Sequence, residues 1–225
     1  MSFPVARPRR SAPLSGAGAL VGLFLVLAGC STLSKEQCQS GDWYQIGVVD
    51  GRNGKSSAIL AEHEKACARY KIGVDAITWQ RGRSEGLKDY CTPVSGFANG
   101  SAGKSYENVC TGRAGADFLT AYGLGTDVYQ ARSEARELAD EARRAENEED
   151  RIADEIRDLR RRMRDASDDE RDDIRDRIAN LQSRRFGFDD GFSARMDAAR
   201  AAREAEIAEA RARAAFTDIF GYPPY

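Results

Sequence analysis

Few residues in this chain are equipped for chemistry, and their spacing limits what that chemistry could be. His63 is the only histidine. It stands in Leu60-Ala61-Glu62-His63-Glu64-Lys65-Ala66-Cys67, where a helix would set it one turn before Cys67. An imidazole and a thiol so placed could form a dyad, provided Cys67 stays reduced. Asp50 and Glu85 occupy equivalent places in a short sequence repeat. Two such carboxylates could serve as the acid and base of a glycoside hydrolase. The structural alternatives are a packing or surface histidine and acids that cap helices or face solvent. No Ser-His-Asp set can be assigned from the sequence. The expectation is a non-enzymatic protein, with a glycan-binding or hydrolytic activity through Asp50, Glu85 or His63 as the alternative.

Cys30 has a different chemistry. It closes Leu27-Ala28-Gly29-Cys30, which follows Arg7, Arg9, Arg10 and an uncharged stretch from Ala17 to Leu27. A basic region, a short apolar region and small residues at the cut make a secretory signal over residues 1–29. The apolar run is about half of the ~20 residues that span a bilayer. The four residues read as a lipobox, cut before Cys30 and acylated on it. An ordinary signal peptide and an uncleaved helix are the competing readings. Resemblance to bacterial lipoproteins implies a diacylglyceryl group on the sulfur and a further acyl chain, such as palmitate, on the new amino terminus. Two or more chains anchor a protein stably, whereas one binds only marginally. In many Gram-negative lipoproteins an Asp after the cysteine retains the protein at the inner membrane. Ser31 stands there, so the resemblance implies the outer membrane, facing the periplasm.

Four cysteines remain: Cys38, Cys67, Cys91 and Cys110. In an exported domain they read as two disulfides. A zinc site with His63 is the alternative, but the Cys-x-x-Cys spacing is missing, and neither metal nor cofactor is expected. From Cys30 onward there are 196 residues, enough for one or two domains. All six lysines lie between Lys35 and Lys104. From Val128 to Ala215 there is no lysine, but 20 Arg and 24 Asp and Glu. The acids offset the arginines, which argues against nucleic acid as a partner. The composition places a boundary near Asp127, giving an anchored linker at 30–37, a head at 38–127, an arm at 128–215 and an extended tail at 216–225.

Within the head, Tyr44-x-x-Gly47-x-x-Asp50-Gly51 recurs as Trp79-x-x-Gly82-x-x-Glu85-Gly86, with a weaker echo at Tyr122-x-x-Gly125. On a helix, Trp79, Gly82, Gly86 and Tyr90 share one face. A helical glycine costs ~1 kcal/mol relative to alanine, reasonable where bare backbone lets a neighbour approach. Two short helices packed through glycine faces are expected; tight turns with a strand at Ile46–Val49 are the alternative. A second repeat sets Gly51-Arg52-Asn53-Gly54-Lys55-Ser56 against Gly100-Ser101-Ala102-Gly103-Lys104-Ser105. Both resemble the end of a phosphate-binding loop, but Val49 and Ala98 stand where that loop needs glycine. They read as turns whose backbone amides could hold a carboxylate or phosphate. The cysteines bracket these turns, Cys38 and Cys67 around the first, Cys91 and Cys110 around the second. Pairing within each unit is therefore expected.

Gly41-Asp42-Trp43-Tyr44-Gln45-Ile46-Gly47, Asp50-Gly51, His63, Ala66-Cys67, Gly82-Arg83, Gly86-Leu87, Tyr90-Cys91-Thr92-Pro93, Gly103, Tyr106, Val109-Cys110 and Phe118-x-x-Ala121-Tyr122-x-x-Gly125 resemble a bacterial lipoprotein family known as domain of unknown function 2799. The resemblance covers about residues 38–129. It implies an exported lipoprotein head with no established activity.

The arm carries Val128, Ala131, Ala135, Leu138, Ala142, Ala145, Ile152, Ile156, Leu159, Met163 and Ala166 at alternating steps of three and four, broken at Glu149. That is a heptad seam, about 58 Å long at ~1.5 Å per residue. Ser167-Asp168-Asp169-Glu170 is a capping box that would start a second helix. Ile174, Ile178 and Leu181 then mirror Met163, Leu159 and Ile156, as an antiparallel hairpin requires; one continuous helix and an intermolecular rod are the competitors. Phe186, Phe188 and Phe192 surround two glycines and are expected to break the second helix and pack on the arm. Ser193–Ala215 is helical by propensity, packed through alanines or partly exposed. The tail would be extended, with its aromatics docked or free. The whole reads as mainly α: a small disulfide-stapled helical head followed by a long charged hairpin or coiled-coil arm. The partners expected are a membrane, through lipid, and an envelope protein or peptidoglycan.

Overall fold

A computed structural model describes residues 32–187 and 190–225. The expected signal at 1–29, the anchor Cys30 and the aromatic Phe188 lie outside the described residues. The described chain is helical, with no strand among its residues: α1 (Lys35–Ser40), α2 (Trp43–Arg52), α3 (Ile59–Ala68), α4 (Ala76–Tyr90), α5 (Pro93–Ser101), α6 (Gly112–Arg162), α7 (Asp168–Gly187) and α8 (Asp190–Phe220). No helix among the described residues is long and apolar enough to cross a membrane.

Short polar side chains set the helix starts. Asp42 accepts from the Gln45 N–H before α2, and Asp75 from the Thr78 N–H before α4. Thr92 accepts from the Ser95 N–H, with Pro93 at the first position of α5, where a missing N–H costs nothing. Within the expected linker at 30–37, residues 33–37 are fastened to the head. Ser34 and Gln37 form a reciprocal capping box that starts α1, and Leu33 is buried against Trp43, Trp79 and the Cys38–Cys67 region.

The head is built from two helix pairs. Helix α2 packs on α4, and α5 on the first part of α6. In the first pair, a Cβ added at Gly47 would lie 2.1 Å from the Trp79 carbonyl oxygen, and one at Gly82 would lie 2.0 Å from that of Tyr44. Gly51 and Gly86 meet the opposite backbone just as closely. Gly96 and Gly100 of α5 do the same against Phe118 and Tyr122 of α6. The strand alternative at Ile46–Val49 therefore gives way to helix, because only α2 brings Gly47 and Gly51 onto one face. One disulfide, Cys38–Cys67, joins α1 to α3, and the other, Cys91–Cys110, joins the end of α4 to the loop before α6.

Helix α6 passes unbroken through the compositional boundary near Asp127, so head and arm share it. Its 51 residues reach about 76 Å, longer than the 58 Å expected, because the heptad seam continues upstream into the glycine face at Ala121 and Gly125. It ends at Arg162, and α7 returns along it. Ile152, Ile156, Leu159, Ile178 and Leu181 are buried together, with Met163 and Ile174 against them. This is the hairpin rather than the continuous helix. At its turn the Glu170 carboxylate accepts from both the N–H and the hydroxyl of Ser167, at 2.9 and 2.8 Å.

Helix α8 continues the returning limb. Ala201, Ala205 and Ala212 are buried on it. The seam break at Glu149 coincides with Gly191, whose missing Cβ leaves room for the Glu149 carboxylate. Phe192, expected to pack on the arm, is instead 63% exposed. The expected extended tail begins later than residue 216, because Phe216 and Phe220 lie one turn apart and both pack inward at the head end of α6. Gly221, at φ +79°, stops the helix. Phe216 is fully buried against Phe97 of α5, and the Tyr225 ring also lies beside Phe97. The chain thus returns to the head it started from.

Candidate functional site

The most enclosed polar cluster lies between α2, α3 and α4. Helix α3 turns His63 inward, next to Cys67 on the same helix, where the disulfide to α1 holds it. Helix α2 supplies Asp50 and α4 supplies Trp79. The Asp50 carboxylate oxygen Oδ2 lies 2.8 Å from His63 Nε2 and accepts from the Trp79 Nε1–H, also at 2.8 Å. Indole can only donate, so the carboxylate acts as the acceptor. A neutral imidazole carrying its proton on Nε2 then donates to Asp50 and leaves Nδ1 to accept from the Thr32 hydroxyl at 2.9 Å. His63 is only 2% exposed. Its two ring nitrogens are both engaged, and the ring edge approaches Trp79.

Chemically this is a hydroxyl–imidazole–carboxylate string. Its members also serve to hold one another: Thr32 fixes the start of the described chain, and Asp50 joins three elements. A dyad with Cys67 is ruled out by the disulfide, which leaves no thiol there. Glu85 lies elsewhere, 2.6 Å from Lys88 on the exposed face of α4. The two acids of the repeat thus have separate partners. The four cysteines of the head are all in disulfides, and no cluster of three or more His, Cys, Asp or Glu able to hold a metal occurs among the described residues.

Thr32 and Trp79 were not singled out for chemistry by the sequence. Thr32 carries no periodic signal. Trp79 was placed on the glycine face, yet its indole N–H reaches past that face to Asp50. Arg83 was likewise missed: it is 7% exposed and donates from Nε to the Lys55 carbonyl at 2.7 Å. Burial lowers its affinity for a proton, while Asp50 and then Glu107 oppose that effect.

Together these features define a helical head with two disulfides, joined through a shared helix to an antiparallel arm. Residues 42–127 match the family described as protein of unknown function (DUF2799), and the match stops where the composition changes. No curated protein and no solved structure matches the chain.

Proposed function

We propose that this protein is a non-enzymatic lipoprotein of the cell envelope. Lipid on Cys30 anchors it in the outer membrane, facing the periplasm, and its head and arm engage another envelope protein or the peptidoglycan. The observation that carries this reading is the fastening of Thr32 and Leu33 to the head, directly after the Leu27-Ala28-Gly29-Cys30 box. Only Ser31 separates the acylated residue from a residue bonded to buried His63. A lipid on Cys30 would then hold the head close to the bilayer and leave the arm as the part that extends. The engagement of Asp50 by His63 and Trp79 favours a structural role over acid–base work.

The test is palmitate labelling and fractionation of cells expressing the full chain with Cys30→Ser. Loss of label and release from membranes is the expected result; a mutant still acylated and membrane-bound overturns the anchor. Crosslinking in cells should capture an envelope protein or peptidoglycan. Glycan hydrolysis by the purified protein, lost in Asp50→Asn, would overturn the non-enzymatic reading.

A further inference from the structure

The two helix pairs of the head are copies of one device, and the copies differ in what their turns hold. In the first, α2 ends in a turn where the Gly54 N–H bonds the Gly51 carbonyl at 2.9 Å and the Lys55 N–H bonds the Asp50 carbonyl at 2.9 Å. In the second, α5 ends with the Gly103 N–H on the Gly100 carbonyl at 2.9 Å and the Lys104 N–H on the Asn99 carbonyl at 3.0 Å. Both turn glycines have φ +66°. An aromatic ring covers each, Tyr90 over Gly54 and Tyr129 over Gly103. The carbonyl of each turn lysine is held by a side chain from the partner helix: Arg83 Nε donates to Lys55 and the Tyr122 hydroxyl to Lys104, at 2.7 and 2.6 Å.

The first turn already holds an anion. The Glu107 carboxylate accepts from the Ser56 N–H at 2.8 Å and from the Lys55 ammonium at 3.1 Å. The second turn repeats the lysine and the serine, Lys104 and Ser105. Among the described residues no carboxylate pairs with Lys104, and no acceptor takes the Ser105 N–H. Both turns open onto one cavity of about 420 Å³, lined by Arg52, Lys55, Tyr90, Asn99, Lys104 and Ser105 among others. Its three cations face one carboxylate, Glu107. Arg52 is itself paired with Asp89, but at 61% exposure on both side chains that pair is weak.

We infer that the cavity is a binding site for a carboxylate-bearing ligand. The ligand's carboxylate takes the Ser105 N–H and the Lys104 ammonium as Glu107 takes Ser56 and Lys55, and the Tyr90 ring and Asn99 line the space for the group that carries it. Backbone amides at the end of such a turn, with a flanking ammonium, form an anion cradle. The inference goes beyond the proposed anchoring and holds whether or not Cys30 carries lipid. The source could be a peptide or an acidic sugar, which share this chemistry.

The experiment follows backbone amide resonances of the full chain in detergent micelles during titration with a short peptide ending in a free carboxylate, with glucuronate, and with inorganic phosphate. Saturable movement of the Ser105 amide by the peptide or by glucuronate is expected, and whichever moves it identifies the source. Lys104→Gln should weaken that binding at least about tenfold, the effect of one charge-assisted hydrogen bond, and Lys104→Arg should restore part of it. The Ser56 amide should stay still until Glu107→Ala vacates the first turn, and then respond to the same probe. The site is overturned if neither carboxylate moves Ser105, if phosphate alone does, or if Lys104→Gln titrates like the parent chain. Lys104 is exposed, and an unchanged spectrum away from the turn shows that the variant folds.

Discussion

Thr32 and His63 are joined side chain to side chain at 2.9 Å across 31 residues of sequence. The bond links the first described residue to the most enclosed polar cluster of the head. Because Asp50 lies on the other side of the ring and Trp79 behind Asp50, loss of the imidazole would affect all four groups. Leu33 adds an apolar contact next to this bond, so the start of the chain is held both by hydrogen bonding and by burial.

His63→Ala should therefore cost more than Thr32→Val. The first leaves a void and a half-buried carboxylate with one partner fewer, together about 2–4 kcal/mol. The second removes one hydrogen bond from an exposed hydroxyl, about 1 kcal/mol. Urea unfolding measures both. Trypsin cleavage after Lys35 should accelerate in either variant, since this bond steadies the segment before α1. Unchanged stability and unchanged cleavage in His63→Ala would show that the bond holds nothing.

The glycine faces give a second prediction with opposite signs at two positions. Gly86→Ala puts a Cβ 2.1 Å from the Val48 carbonyl oxygen, and backbone on both sides cannot yield cheaply. It should destabilise by about 3 kcal/mol or more. Gly123 of α6 has nothing within 4 Å of its added Cβ. Gly123→Ala should stabilise by about 0.5–1 kcal/mol through helix propensity alone. Thermal unfolding of the two variants checks the pair. A mild effect at Gly86 would mean that α2 and α4 can separate.

The contrast between these glycines also shows how far the sequence could be read. The spacing of Trp79, Gly82, Gly86 and Tyr90 reveals a helix face, and the mirrored Ile156, Leu159 and Met163 reveal a hairpin, because both are periodic and local. The cysteine pairing follows from the way the turns are bracketed. What periodicity does not carry is contact between distant elements. His63 on α3, Asp50 on α2 and Thr32 before α1 belong to three unrelated stretches, and only the folded head brings them together. The full duplication was half hidden for a related reason. Arg83 and Tyr122 hold equivalent carbonyls with different chemistry, so no residue match relates them. Phe192 misled because an aromatic beside a glycine suggests packing, whereas at that point the hairpin closes through Gly191 and Glu149 instead.

The last prediction concerns the end of the arm that lies against the head. Glu209 of α8 accepts from Arg132 of α6 at 2.5 Å and from Arg213 at 2.7 Å, and the Arg213 guanidinium lies 4.1 Å from the centre of the Tyr225 ring. The hydrogen bond from Arg213, then that from Arg132, holds the Glu209 carboxyl below its ordinary value of 4.5. A depressed folded-state value means that the unfolded chain takes up this proton first on acidification. The contribution is therefore fully present above about pH 5 and is lost as pH falls through the folded-state value. The arginine side chains are 40% and 42% exposed, so screening limits the effect to about 1 kcal/mol. Glu209→Gln should lower the melting temperature at pH 7 and speed hydrogen exchange over residues 216–225, because the clasp steadies the turn that buries Phe216 against Phe97. Once the pH has fallen below the folded-state value the carboxyl of the parent chain is protonated too, and the two proteins should melt together. A gap that persists in acid would assign the effect to packing rather than charge, and no gap at pH 7 would show that Phe216 holds the tail alone.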